Sequence, residues 1–197
     1  PTTLDIINDM LAATGTLPVT ASNTKHPMYV KAVNKLDLVV GDVLKMGLWF
    51  NTAYRTLEPD EEGQVYLPSD LVSFDVLCSN LRLVRRGNRV YDLNKANFNI
   101  GEPLMCKLIT EVAVTDLPRS AYDYIRAKAV HEYYVNQEGT EPRLSNYKEQ
   151  RNEAWTLLWR EHIAGADVNY FDNASHMGSR LKKHSTTTGR STNFRPE

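Results

Sequence analysis

The sequence predicts an α+β fold weighted toward helix: a four-helix bundle, a small antiparallel β unit inserted into it, and an extended C-terminal arm. Three observations lead there. Apolar residues recur every three or four positions toward both ends of the chain, and they alternate with polar ones in the middle third. After Phe171 apolar anchors thin out in a run rich in Ser, Thr, Asn, Gly and basic residues. The first two periods are those of amphipathic helix and half-buried strand, and the third composition cannot bury enough surface to order itself.

Each element has its own signals. Thr2 and Asp5 form a capping-box variant, in which a hydroxyl accepts a backbone N–H and a carboxylate sits in the positive first turn. Leu4, Ile7 and Leu11 then carry a helix to a stop at Gly15. Thr16 to Val19 leads out, and Thr20 to Lys25 is a polar loop. Pro27 suits the first turn of a second helix, with Val30, Val33, Leu36, Val40 and Leu44 as its apolar face and Gly47 as its end. Gly41 weakens its middle turn.

From Leu48 the period changes. Val72, Phe74 and Val76, then Leu81 and Leu83, then Leu104, Cys106 and Leu108 alternate with polar or exposed positions, as strands do. Arg86-Gly87-Asn88-Arg89 reads as a hairpin turn between Leu83-Val84 and Val90-Tyr91, and Asp60 to Gly63 as another turn. Helical period returns after Leu117-Pro118 with Tyr122, Ile125, Ala129 and Tyr133, closing at Gly139. A fourth helix follows Pro142 with Leu144, Tyr147, Ala154 and Leu158, flanked by Trp155 and Trp159, and fades at Gly165. The two helix pairs can share a core only if the β unit loops out between them. The expected organisation is therefore residues 1–47 and 113–171 as bundle, 48–112 as insertion and 172–197 as arm.

Composition narrows the function. A net charge of −1 argues against a dedicated nucleic-acid binder, whose affinity comes from a basic excess. Cys78 and Cys106 lack the spacing of a metal site and are expected to be free buried thiols, with a single disulfide between them as the alternative. No basic, apolar leader and no run of ~20 apolar residues is seen, so neither a signal peptide nor membrane insertion is expected. His131-Glu132 approaches a zinc-protease motif, but the second His would fall at 135, where Val135 stands. Glu161-His162 is expected to face solvent on the fourth helix. Glu58, Asp60, Glu61 and Glu62 lie beside Pro59 and Gly63, the pattern of a solvated turn and not of two carboxyls across a cleft. No catalytic residue, metal or cofactor is expected. A cell-wall or polysaccharide hydrolase is the alternative reading, and a DNA-binding protein the third.

Several segments, in order, resemble the tail tubular protein A family of T7-like podoviruses. They are Ile7-Asn8-Asp9-Met10-Leu11-Ala12-Ala13-Thr14-Gly15 with Pro18-Val19, Gly47-Leu48-Trp49-Phe50-Asn51, Val90-Tyr91-Asp92, and Leu117-Pro118 with Tyr124-Ile125, Lys128-Ala129 and Tyr133. The resemblance implies a non-enzymatic head-to-tail adaptor of the virion tail, assembled in the host bacterial cytoplasm. Such an adaptor is a ring of twelve copies between the portal protein and the nozzle, tail tubular protein B; it retains packaged DNA and continues the channel for its ejection. On that basis the arm is expected to grip the portal through Met177, Arg180, Leu181, Lys182, Lys183 and Phe194. The β unit would face the nozzle with Glu61, Arg86, Asn88 and Arg89. The last segment, from Lys182, is longer and more basic than the family pattern.

Overall fold

A computed structural model describes residues 2–20, 26–77, 80–137 and 143–181, with side chains as far as 165. Helix α1 spans Thr3–Ala13 and α2 spans Pro27–Leu44. Strands β1 (Thr52–Leu57), β2 (Leu71–Val76), β3 (Leu83–Arg86), β4 (Arg89–Asp92) and β5 (Leu104–Thr110) follow. Then come α3 (Arg119–Gln137) and α4 (Arg143–Leu181). The β unit is thus inserted between two helix pairs.

Local chemistry sets these boundaries. The capping box of α1 is complete: the Asp5 N–H donates to the Thr2 hydroxyl, and the Thr2 N–H donates to the Asp5 carboxylate. Past the helix, Asn8 Nδ2 donates to the Val19 carbonyl and the Val19 N–H donates to Asn8 Oδ1, which folds the exit segment back along α1. Pro27 stands in the first turn of α2, with His26 Nδ1 accepting from the Met28 N–H. The buried face of α2 is Ala32, Leu36, Val39, Val43 and Leu44, which includes Leu36 and Leu44 of the expected stripe. That face is rotated from the expected one: Val33 and Val40 are only its flank and Val30 is exposed. Ala32 explains the rotation, because a small fully buried residue lets the helix sit closer to its neighbours than a valine row would.

Helices α1, α2 and α3 each pack on the other two, and the expected stripe Tyr122, Ile125, Ala129 and Tyr133 of α3 is buried in their shared core. Among the described residues α4 packs chiefly along α3, so the helices form a three-helix core with a fourth laid outside it rather than four equal partners. Among the described side chains of α4, residues 143–165, Leu158 alone is fully buried; Leu144, Tyr147, Ala154 and Trp155 are half-buried beside it. One narrow stripe cannot contact three helices at once.

Helix α4 also runs on to Leu181 instead of fading at Gly165. The first part of the expected extended arm, 172–181, is therefore helical, and 182–197 lies outside the described residues. The physical reason is propagation. Once the packed half has nucleated, each further residue adds a hydrogen bond, and no proline interrupts the chain between Pro142 and Pro196. At 1.5 Å per residue the helix is about 58 Å long.

The β unit holds a second core of Val65, Leu67, Leu71, Val90, Ile100, Leu104, Cys106 and Leu108. Its three-stranded antiparallel sheet has the order β1-β5-β2, and β3-β4 is a separate hairpin turning at Gly87, whose φ of 65° is the left-handed conformation the sequence called for. Strand β1 was not foreseen. Its Thr-Ala-Tyr-Arg-Thr-Leu carries no apolar alternation, and the ladder with β5 holds it in place. Cys106 is a free, buried thiol, pushed up to about 11 by its burial; Cys78 lies outside the described residues.

Candidate functional site

The polar residues weighed and set aside as catalytic have structural partners. His131 and Glu132 turn apart: Glu132 meets Lys35 of α2 at 3.4 Å and Lys128 at 3.8 Å. His131 is pulled below the ordinary imidazole range by its burial and by Arg151 and Lys148 of α4, against the pull of Glu132. Asp60 Oδ1 accepts from the N–H groups of Glu62 (3.0 Å) and Gln64 (2.7 Å), which makes it the pivot of its turn. A shallow cleft between α1 and α3 is lined by Asp5, Asn8, Asp9, Arg119, Tyr122 and Arg126. Its carboxylates are also occupied. Asp9 pairs with Arg126 at 2.5 Å, and hydrogen bonds from Thr2 hold Asp5 below the usual carboxyl range, the reverse of what a general acid needs.

The helix-to-sheet junction shows what Gly47-Leu48-Trp49-Phe50-Asn51 does. Gly47 has a φ of 67°, and a Cβ there would fall 2.6 Å from Ile109 Cδ1, so only glycine fits where α2 meets β5. Leu48 is buried. Asn51 is 2% exposed; its Oδ1 accepts from the Leu48 N–H (2.8 Å), and its Nδ2 donates to the carbonyls of Leu44 (2.8 Å) and Thr110 (3.2 Å). One amide therefore joins the end of α2 to the end of β5. Trp49 leans across to α4, where a Cβ on Gly165 would come within 2.9 Å of its ring.

Trp49 also ends a chain of rings. It packs edge-on to Phe50 at 5.2 Å and beside His162 at 6.2 Å; His162 lies 4.9 Å from Trp159, Trp159 stacks on Trp155 at 5.4 Å, and Trp155 meets Tyr124 of α3 at 5.0 Å. His162, expected to face solvent, is half-buried instead. Its ring is packed between two indoles, its Nδ1 is buried with no hydrogen-bond partner among the described residues, and burial, helped by Lys107 of β5, lowers its pKa. The adjacent Glu161 is exposed and accepts a hydrogen bond from Ser120. The sequence placed Trp155 and Trp159 beside the apolar stripe of this helix; that they stack, and that His162 extends the chain of rings, carried no signal of its own.

On either side of this stripe α4 leaves apolar surface in solvent: Trp159 (43% exposed) and Ile163 (49%) along one edge, Leu157 (54%) along the other. A helix buried on one face does not need these. Leu38 of α2 and Val135 of α3 add exposed apolar groups on the helical part.

The β unit presents charge. Glu61 and Asn88 are exposed at turns, Arg86 is exposed at the hairpin and Arg89 is half-buried. The structure brings the two turns together: the Leu67 N–H donates to the Asn88 carbonyl, and Arg89 donates to Gln64 Oε1 at 2.7 Å, just after the Asp60 turn. Of the expected arm residues, Met177, Arg180 and Leu181 fall on the backbone of α4, their side chains undescribed, and Lys182, Lys183 and Phe194 lie outside the described residues.

Comparison with known proteins agrees with the resemblance. Residues 4–167 match the family model Tube, described as tail tubular protein. The chain is also 29% identical over 161 residues to tail tubular protein A of Klebsiella phage KP34, a match covering 81% of this chain and 86% of that protein.

Proposed function

Because this chain belongs to the tail tubular protein family, and is thereby a structural component of a bacteriophage tail, we propose that it is one subunit of a twelve-copy adaptor ring between portal and nozzle. The ring retains packaged DNA and continues the ejection channel. The observation that carries this reading is the double apolar edge of α4. Its inner stripe is spent on α3, yet Leu157, Trp159 and Ile163 remain outside on both flanks. A closed ring needs two different patches per subunit, one for each neighbour, and two flanks of one long helix supply them. Obligate contacts of about 2,000 Å² or more would cover those edges and part of the helix beyond Gly165.

In this arrangement the helical part builds the ring wall and the end of α4 with the residues after it reaches the portal. The β unit, with its Glu61 turn and its 86–89 hairpin, is turned to the nozzle. Portal, nozzle and neighbouring copies are the partners; no ligand or metal is required. The test is to place charge on one flank. Trp159→Glu with Ile163→Glu should leave a folded monomer, by circular dichroism, that no longer assembles on portal. Rings formed as readily as by the native chain would refute the interface.

A further inference from the structure

The order β1-β5-β2 leaves β1 and β2 as the two margins of the three-stranded sheet. Their bonding phase follows from contacts at the two ends of β5. The Thr110 N–H donates to the Asn51 carbonyl, and the Leu77 N–H donates to the Met105 carbonyl. In an antiparallel ladder, opposed residues alternate between exchanging hydrogen bonds and turning their N–H and C=O groups outward. Counted from those two bonded positions along the register, Tyr54 and Thr56 turn their backbone groups away from β5 on one margin, and Phe74 and Val76 do so on the other. Among the described residues no partner takes them up. Edges of this kind are ordinarily blunted by Pro, Lys or a bulge. Thr52–Leu57 holds none of these, carries one charge, Arg55, and pairs with β5 without a shift. The shift in β2 falls at its Leu71 end, where Arg85 also covers the Leu71 carbonyl, so Ser73 to Val76 stays straight and open.

The two margins match each other. Both strands run antiparallel to β5, and so in one direction, and Tyr54 and Asp75 both stand opposite Lys107. They therefore lie at one height and on one face of the sheet. Rotation about an axis running near the strand direction keeps that height, and carries β2 of one copy to β1 of the next with Asp75 beside Tyr54. Parallel pairing sets an outward-turned residue of one strand opposite an inward-turned residue of the other. Tyr54 opposite Asp75 meets that condition. The Tyr54 N–H then meets the neighbour's Phe74 carbonyl, the Tyr54 carbonyl meets the Val76 N–H, and the Thr56 N–H meets the Val76 carbonyl. A register one residue away fails, because outward groups would face outward groups and the side chains would change faces. The side chains agree with the pairing. Tyr54, 47% exposed, brings its hydroxyl beside the exposed Asp75 carboxylate, and Arg55 falls opposite Val76, so no like charges meet.

We infer that β2 of each subunit adds in parallel to β1 of its neighbour, so that the small sheets join into one sheet running round the ring. This rests on the ring reading above and extends it from the helices to the β unit. The occupant of β1 is a second copy because one chain carries both halves of the joint, open over the same stretch, at the same height and in the matching phase. The halves are different surfaces, so the contact is head to tail, and closing the ring leaves neither edge open. Pairing of β1 with another β1 would stop at two copies. Three backbone bonds make a small joint, which adds register to the α4 flanks and does not replace them.

The experiment pairs cysteines in the full chain, with Cys78→Ser as background, assembled on purified portal and imaged before oxidation. Tyr54→Cys/Asp75→Cys puts two thiols side by side across the joint. Within one chain they flank β5 at about 10 Å, two strand spacings, too far for a disulfide. Oxidation should give a ladder of covalent multimers on a non-reducing gel. Arg55→Cys/Asp75→Cys, with its thiols on opposite faces, should give none. Tyr54→Pro removes an N–H that lies outside the β5 ladder, so the chain should stay folded by circular dichroism while its half-maximal concentration for assembly rises tenfold or more. Tyr54→Ala keeps the N–H and should assemble far closer to the native chain. Rings that form without a Tyr54→Cys/Asp75→Cys ladder would overturn the continuous sheet and leave the adaptor reading standing; a native chain that forms no ring overturns both. Covalent dimers from Tyr54→Cys alone would give β1 to another β1, and a ladder that disappears when nozzle protein is added would give it to the nozzle. Either overturns the inference, as does a Tyr54→Pro chain that assembles like the native one.

Discussion

Asn51 offers the sharpest test of how the two parts of the molecule are joined. In Asn51→Ala the Leu48 N–H loses its side-chain acceptor inside a buried site, which costs about 1–3 kcal/mol. The Leu44 and Thr110 carbonyls lose a donor each. Leu44 retains the Gly47 N–H at 3.2 Å, so these two losses are ordinary hydrogen-bond losses of about 0.5–1 kcal/mol each. The sum is about 2–5 kcal/mol, and for a domain of this size that is a fall in melting temperature of about 4–20 °C. Asn51→Asp should be at least as damaging at neutral pH. It keeps the acceptor for Leu48 but turns a carboxylate toward two carbonyl oxygens. Urea unfolding followed by circular dichroism measures both variants. If Asn51→Ala lies within ~0.5 kcal/mol of the native chain, the amide does not join α2 to β5 in the way described.

Three further outcomes follow from the same coordinates. Gly165→Ala would ordinarily stabilise a helix by about 1 kcal/mol, but with Trp49 2.9 Å from the new Cβ the sign should reverse, to a destabilisation of about 1–2 kcal/mol by urea melt; the ordinary gain would show that Trp49 is not seated there. His131 and His162 have folded pKa values below the ordinary 6.5, so both states are neutral above that value and the unfolded chain takes up protons first below it. Stability should therefore be full above about pH 6.5 and fall as pH drops through the depressed folded values, with His162→Gln flattening the profile; an unchanged midpoint between pH 7 and 5 would contradict the packing of both rings. Removing residues 173–197 should leave a folded subunit, by thermal melt, that fails to join portal-capped heads, and infectious particles built from the truncated chain would refute the portal role of that segment.

Much of the fold was legible because it rests on local periodicity. Tyr122, Ile125, Ala129 and Tyr133 each follow the last by one helical turn and can only share a face, and Gly87-Asn88 between two apolar pairs has few conformations besides a hairpin. What was missed depends on distant partners. Strand β1 exists because β5 pairs with it, the face of α2 is chosen by small Ala32 against larger valines, and α4 continues because its packed half nucleates the rest. The assembly surface was legible only as composition. Trp155 and Trp159 stood out beside the apolar stripe of the fourth helix, yet which tryptophan stays in solvent depends on where α3 lies. The basic hairpin was visible residue by residue, but the opposition of Arg86 and Arg89 and their seats on Tyr91 and Phe98 required the register.

Identical copies are proposed to meet through the flanks of α4 and so close a ring. Negative-stain imaging of purified portal mixed with this chain, with subunits counted from class averages, tests it most directly. Twelve copies in a closed tier beneath the portal are predicted, with no such tier from the Trp159→Glu/Ile163→Glu chain. A native chain that stays monomeric beside bare portal, or a charged variant that completes the tier, would contradict it.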